Sequence, residues 1–102
     1  MPRARISDPY TSHLAADEVM NYTQVQIFIM ELFHIALNGY TDEELIKEYN
    51  RTFGIQCPAS ESSIRSRRAE LRDRGNVRDS GHTRMTRLGH KSIVWILEGT
   101  LL

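Results

Sequence analysis

SSIRSRRAELRDRGNVRDSG, residues 62–81, changes its period halfway along, and that change decides how the rest of the chain is read. Before Arg74 the large apolar side chains are Ile64 and Leu71. Seven positions apart, they fall on one stripe of a helix that advances about 100° per residue. Ser60 or Ser62 caps the start of this helix, and Gly75 closes it after Arg72 and Arg74, in a last turn that favours cations. Beyond Gly75, NVRD (76–79) and SIVWIL (92–97) are rich in β-branched and aromatic residues and read as two strands. Between them SGHTRMTRLGHK (80–91) has two glycines, five basic or histidine side chains and no acid. It cannot bury itself, so it is expected to project as a hairpin loop.

Upstream, the helix signals repeat. Thr41-Asp42-Glu43-Glu44 is a capping box that opens a helix over 42–53, with Leu45, Ile46 and Tyr49 facing inward. It ends near Phe53-Gly54, and Pro58 in the IQCPA connector interrupts any continuation. Thr23 with Gln26 forms an earlier capping box. Val25, Phe28, Ile29, Leu32, Phe33, Ala36 and Leu37 follow at helical spacing, and Ile27, Met30 and Ile35 widen the stripe. That width predicts the central, most buried helix, stopped by Gly39. Asp8-Pro9 offers one more helix start, for a short helix with Leu14, Ala15 and Val19 inward, behind a mobile tail over residues 1–8.

Size and composition bound the rest. A chain of 102 residues, 40% hydrophobic and 25% charged, suits one ordinary globular domain. No run approaches the roughly 18 apolar residues of a membrane span. MPRARISDPYTSH has no apolar signal core, and the single cysteine, Cys57, fits a reducing compartment, so a cytoplasmic protein is expected. Cys57 and His13, His34, His82 and His90 show no metal-ligand spacing. There is no glycine-rich phosphate loop and no nucleophile motif, and Glu43-Glu44 reads as helix-start charge. No residue constellation argues for an enzyme, and no metal or cofactor is implied.

The formal net charge is zero, yet the charge is unevenly distributed. Residues 1–63 carry four Lys/Arg against nine acids, and residues 64–102 carry nine against four, giving −5 and +5. Such an imbalance suits a polyanionic partner for the basic half. Pairing of the two halves within the fold explains it equally well, and charge alone leaves both readings open.

Helices followed by a basic β-hairpin make an α+β chain with the layout of a winged helix carrying an extra N-terminal helix. The domain would span 9–98, with a helix-turn-helix over 42–74 and a wing over 77–97. The RSRRAEL stretch running into GNVRDSG, and the TRLGHKSIVWIL that follows, resemble small winged-helix proteins encoded by bacteriophages. DPYTSHLAA resembles their N-terminal segment and GYTDEELI the first helix of their helix-turn-helix, so the resemblance covers most of the chain. The turn region NRTFGIQCPASE is longer than the shortest form of that pattern. The resemblance implies double-stranded DNA binding, of the kind expected of a transcriptional regulator in a host cytoplasm.

Residue by residue, the helix at 60–74 turns Ser62, Ser66, Ala69 and Asp73 away from Ile64. Arg65 and Arg72 flank that outer face, while Arg67 and Arg68 lie nearer the buried edge. Small hydroxyls beside arginines permit close approach to a groove, where arginine can bind guanine through two parallel hydrogen bonds. The helix N-terminus, around Ser60–Ser63, can itself hold a phosphate. Arg65 and Arg72 are therefore expected to contact DNA, whereas Arg67 and Arg68 divide between DNA and an intrahelical pair with Glu70. Asp73 would repel phosphate. In the hairpin, His82, Thr83, Arg84, Arg87, His90 and Lys91 are candidates for backbone or minor-groove contact. The rival reading is a winged-helix interaction module that meets a host or phage protein through its acidic face. A homodimer through the N-terminal helices is a further expected partnership.

Overall fold

The computed structural model describes residues 21–100. The expected tail over 1–8 and helix over 9–20 lie outside these residues. Three helices, α1 (Gln24–Ile35), α2 (Asp42–Phe53) and α3 (Glu61–Asp73), are followed by an antiparallel hairpin of β1 (Val77–Met85) and β2 (Lys91–Leu97).

Each helix starts where its sequence signal places it. At α1 the Thr23 hydroxyl accepts from the Gln26 N–H while the Gln26 side chain accepts from the Thr23 N–H, and Thr41 and Glu44 repeat this reciprocal pair at α2. Ser60, rather than Ser62, caps α3 by accepting from the Ser63 N–H at 3.1 Å. Each such cap contributes about 1 kcal/mol. At the other end of α3, Gly75 takes φ +85° and the Asn76 N–H returns to the Leu71 carbonyl, turning the chain into β1.

The core lies where the three helices meet the hairpin. Ile29, Met30 and Phe33 of α1, Leu45 and Tyr49 of α2 and Ile64 and Leu71 of α3 are buried together with Val77 and Trp95. Phe28 is half-buried and stacks on Phe53, with ring centroids 4.1 Å apart. The Tyr49 hydroxyl donates to the Cys57 carbonyl at 2.8 Å, which ties the connector after α2 to the core. His34 is half-buried.

Two expectations need correction. The first helix stops at Ile35, with Ala36 as its cap, four residues short of Gly39, and both Ile35 and Leu37 are exposed. The stripe is thus narrower than its sequence suggests, because the chain leaves the helix early to reach the sheet. Tyr40 exchanges two backbone hydrogen bonds with Trp95, of 3.0 and 2.8 Å, and forms an isolated bridge on the free side of β2. Gly39, at φ +76°, is the residue that permits this approach.

The second concerns residues 80–91. They are not all loop, since β1 continues through Met85 and the connection is only Thr86–His90. Asp79 faces Trp95 and Thr83 faces Ile93, so Ser80–His82 stand opposite Val94 alone. This bulge, with Gly81 at φ +86° and the Gly81 N–H bound by the Asp79 carboxylate, absorbs the extra residues and lets the ladder resume. A polar segment can be a strand here because one face of the outer hairpin stays in solvent. Thr83, Met85, Lys91 and Ile93 share that face and are exposed, while Arg84 and Ser92 point the other way.

Candidate nucleic-acid interface

Burial of Ile64 and Leu71 sets the rotation of α3, and Ser62, Arg65, Ser66 and Arg72 are left exposed on its outer side. Ser63 is half-buried beside the Ser60 cap. The exposed arginines have only local partners. Arg65 lies 3.7 Å from Glu61 and Arg72 3.1 Å from Asp73, and all four side chains are at least half exposed. Pairs of this kind contribute at most about 1 kcal/mol, so a ligand can displace them cheaply.

Arg67 and Arg68 are held differently. Arg67 forms two hydrogen bonds of 2.6 and 2.7 Å to Glu70, which also accepts from the Gln26 amide at 2.8 Å. The Arg67 guanidinium holds the Glu70 carboxyl below its usual range. Arg68 crosses to α2, bonding both Asp42 oxygens at 2.8 and 2.7 Å with its guanidinium 4.0 Å over the Trp95 ring. Only 12% of that side chain is exposed, so Arg68 joins α2, α3 and the sheet and presents little to a ligand.

The hairpin candidates separate in space. Arg84 faces inward, where its guanidinium bonds Glu44 at 2.9 and 3.2 Å and the Gly39 carbonyl at 2.8 Å. Together with His82, Thr83 and Asn38 it lines a hollow of about 360 Å³. At the hairpin tip, Arg87 and His90 share a larger cleft, about 990 Å³, with Arg65 of α3 and with Glu43, Lys47 and Glu61. Lys91 projects from the solvent face beside Met85 and Ile93. Three of the expected residues, Arg65, Arg87 and His90, are therefore brought together, whereas His82, Thr83 and Arg84 line the separate, smaller hollow.

Lys47 and Asn50 also line the larger cleft and were not among the expected site residues. Their signal was available, since Leu45, Ile46 and Tyr49 face inward and leave positions 47 and 50 outward on a 3.6-residue period.

The uneven charge has a structural counterpart. The first turn of α2 supplies Asp42, Glu43 and Glu44, which pair with Arg68, Arg87 and Arg84 respectively. Each of the eight arginines in 64–91 makes an ion pair or a side-chain hydrogen bond to backbone. The acidic half thus reaches the basic half directly.

One of these pairs gives a pH-dependent expectation. Partial burial pushes the Glu44 carboxyl up, but Arg84 and the Thr41 N–H outweigh it and the net shift is downward. A carboxyl lowered in the folded state contributes stability that is complete above the ordinary glutamate range and lost as pH falls through the lowered value. The stability difference between the native protein and Glu44→Gln should therefore narrow as the solution is acidified, as read from denaturant midpoints at a series of pH values. A difference that stays constant with pH would show that the pair contributes no charge-linked stability.

Among the described residues no group of three or more His, Cys, Asp or Glu is placed to hold a metal ion, and no helix is long and apolar enough to cross a membrane. Comparison of the chain with protein-family models, with curated proteins and with solved structures finds no match.

Proposed function

We propose that the protein binds double-stranded DNA as a winged helix, with the outer side of α3 in the major groove and the hairpin tip on the backbone. One observation carries this reading: the burial of Ile64 and Leu71 leaves Ser62, Arg65, Ser66 and Arg72 on one exposed helix side, with small hydroxyls beside displaceable arginines. Arg65 also shares a cleft with Arg87 and His90, so helix and hairpin tip can meet one duplex together. Arg68 and Arg84 support the site by holding α2, α3 and the hairpin in place. The resemblance to phage-encoded winged-helix proteins extends the proposal to a transcriptional regulator acting in a host cytoplasm.

A specific observation favours a second reading, a module that binds another protein. Met85, Leu88 and Ile93 are exposed on the hairpin, and the α2 acids partner several of the arginines.

Duplex binding measured over a range of salt concentrations decides between the two. Residues 64–91 carry nine Lys/Arg against three acids, so affinity should be strongest at low salt and fall steeply as salt rises. Each phosphate neutralised adds about −0.9 to the slope of log K against log salt. Arg65→Ala should cost roughly 1–3 kcal/mol at a preferred site and less on random duplex, as expected of a base contact. Arg87→Ala should weaken both alike and flatten the slope. No binding to any duplex at low salt would remove the DNA reading and leave the protein-binding one.

A further inference from the structure

We propose that Glu43 occupies the place of a DNA phosphate at the hairpin tip and must be displaced from Arg87 when the duplex binds. The inference rests on the DNA-binding reading above. One Glu43 oxygen accepts from the Arg87 backbone N–H at 3.1 Å, and the other lies 3.7 Å from the Arg87 guanidinium. A backbone N–H and an arginine on one residue are the donors that proteins commonly turn toward a phosphate. Glu43 presents two anionic oxygens to them from the first turn of α2, where the helix dipole favours negative charge.

Three ion pairs tie the first turn of α2 to the basic half, and their geometry separates them by role. Arg68 with Asp42 and Arg84 with Glu44 are bidentate, with side-chain exposures of 12% and 23% in the first pair and 39% for both members of the second. The first joins α3 to α2 with Arg68 over the Trp95 ring, and the second ties the hairpin to α2. In the third pair Arg87 is 81% exposed and its guanidinium makes a single long contact. It opens into the cleft that Arg65, Lys47 and His90 also line. Release of Glu43 therefore frees a phosphate site at the tip while the Arg84 pair with Glu44 keeps the hairpin against α2. The exposed contact is weak, so the exchange modulates affinity and does not abolish it.

Five proteins test this on one duplex at low salt: the native chain, Glu43→Gln, Arg87→Ala, the double variant and a charge control. Glu43→Gln should bind about two- to fivefold more tightly, the range that an exposed ion pair allows. In the Arg87→Ala background the same change should tighten binding much less, because only the backbone N–H at that position is left for Glu43 to cover. Glu48→Gln, which removes an equal charge from the α2 pair with Arg51, controls for net charge and should leave affinity unchanged. Equal tightening with and without Arg87 would overturn the proposal, because Glu43 would then act only by repelling phosphates. Absence of tightening in Glu43→Gln would overturn it as well. If the native chain binds no duplex, the DNA reading itself fails, and that result is distinct from either of the others.

Discussion

Gly39→Ala is expected to cost about 3–5 kcal/mol, a large part of the roughly 5–15 kcal/mol that holds a domain of this size together. A Cβ at this position would lie 2.2 Å from the Trp95 carbonyl oxygen and 2.6 Å from Ile96 Cγ2. Neither can yield easily, since Trp95 is held in the β1–β2 ladder and bridged to Tyr40, and Ile96 is fully buried. The left-handed backbone adds about 1–2 kcal/mol for any L side chain, and strain or loss of the two Tyr40–Trp95 hydrogen bonds adds about 1 kcal/mol each. Gly75→Ala is the control. Its φ is +85°, but an added Cβ meets nothing within 4 Å, so only the backbone term of about 1–2 kcal/mol should appear. Denaturant unfolding of both variants measures the difference. Equal losses would mean that the approach of Tyr40 to β2 contributes nothing to stability.

Leu71→Ala should cost about 2–5 kcal/mol as a large-to-small change in a packed core, whereas Ser66→Ala should stay within about 0.5 kcal/mol. Leu71 is fully buried on the stripe it shares with Ile64, and Ser66 is exposed on the other side of α3. This pair of variants bears on function as much as on stability, because the same rotation of the helix places Arg65 and Arg72 outward. Thermal or denaturant unfolding compares them directly. A larger loss for Ser66→Ala would mean that α3 is rotated from this assignment, and the proposed DNA face would lose its arginines.

The helix starts were legible because capping is local. A Thr followed three residues later by Gln or Glu can satisfy the first-turn N–H groups without help from the rest of the fold, so Thr23 and Thr41 mark α1 and α2 in the sequence alone. The orientation of α3 was legible for a similar reason, since two apolar residues seven apart on an otherwise polar helix leave one way to bury it. Helix ends were less so. Gly39 carries the usual sign of a helix stop, and its purpose lies 56 positions away at Trp95.

What the sequence determines by itself is the order and type of the described elements, the N-terminal caps of α1 and α2 and the outward face of α3. These follow from hydrogen bonds and periodicities that span a few residues. The tertiary structure decided what the charges do. Asp42, Glu43 and Glu44 read as helix-start charge, and Arg68, Arg84 and Arg87 read as candidates for an anion, because each is judged against its own neighbours. Folding places the two groups within bonding distance across separations of 26, 40 and 44 residues. Arg68 and Arg84 become the pins of the hairpin, and Arg87 is left on an exposed contact that solvent and ligand can reach. Local spacing carries no information about such pairs, because the attraction between charges depends on distance through space and on exposure to water.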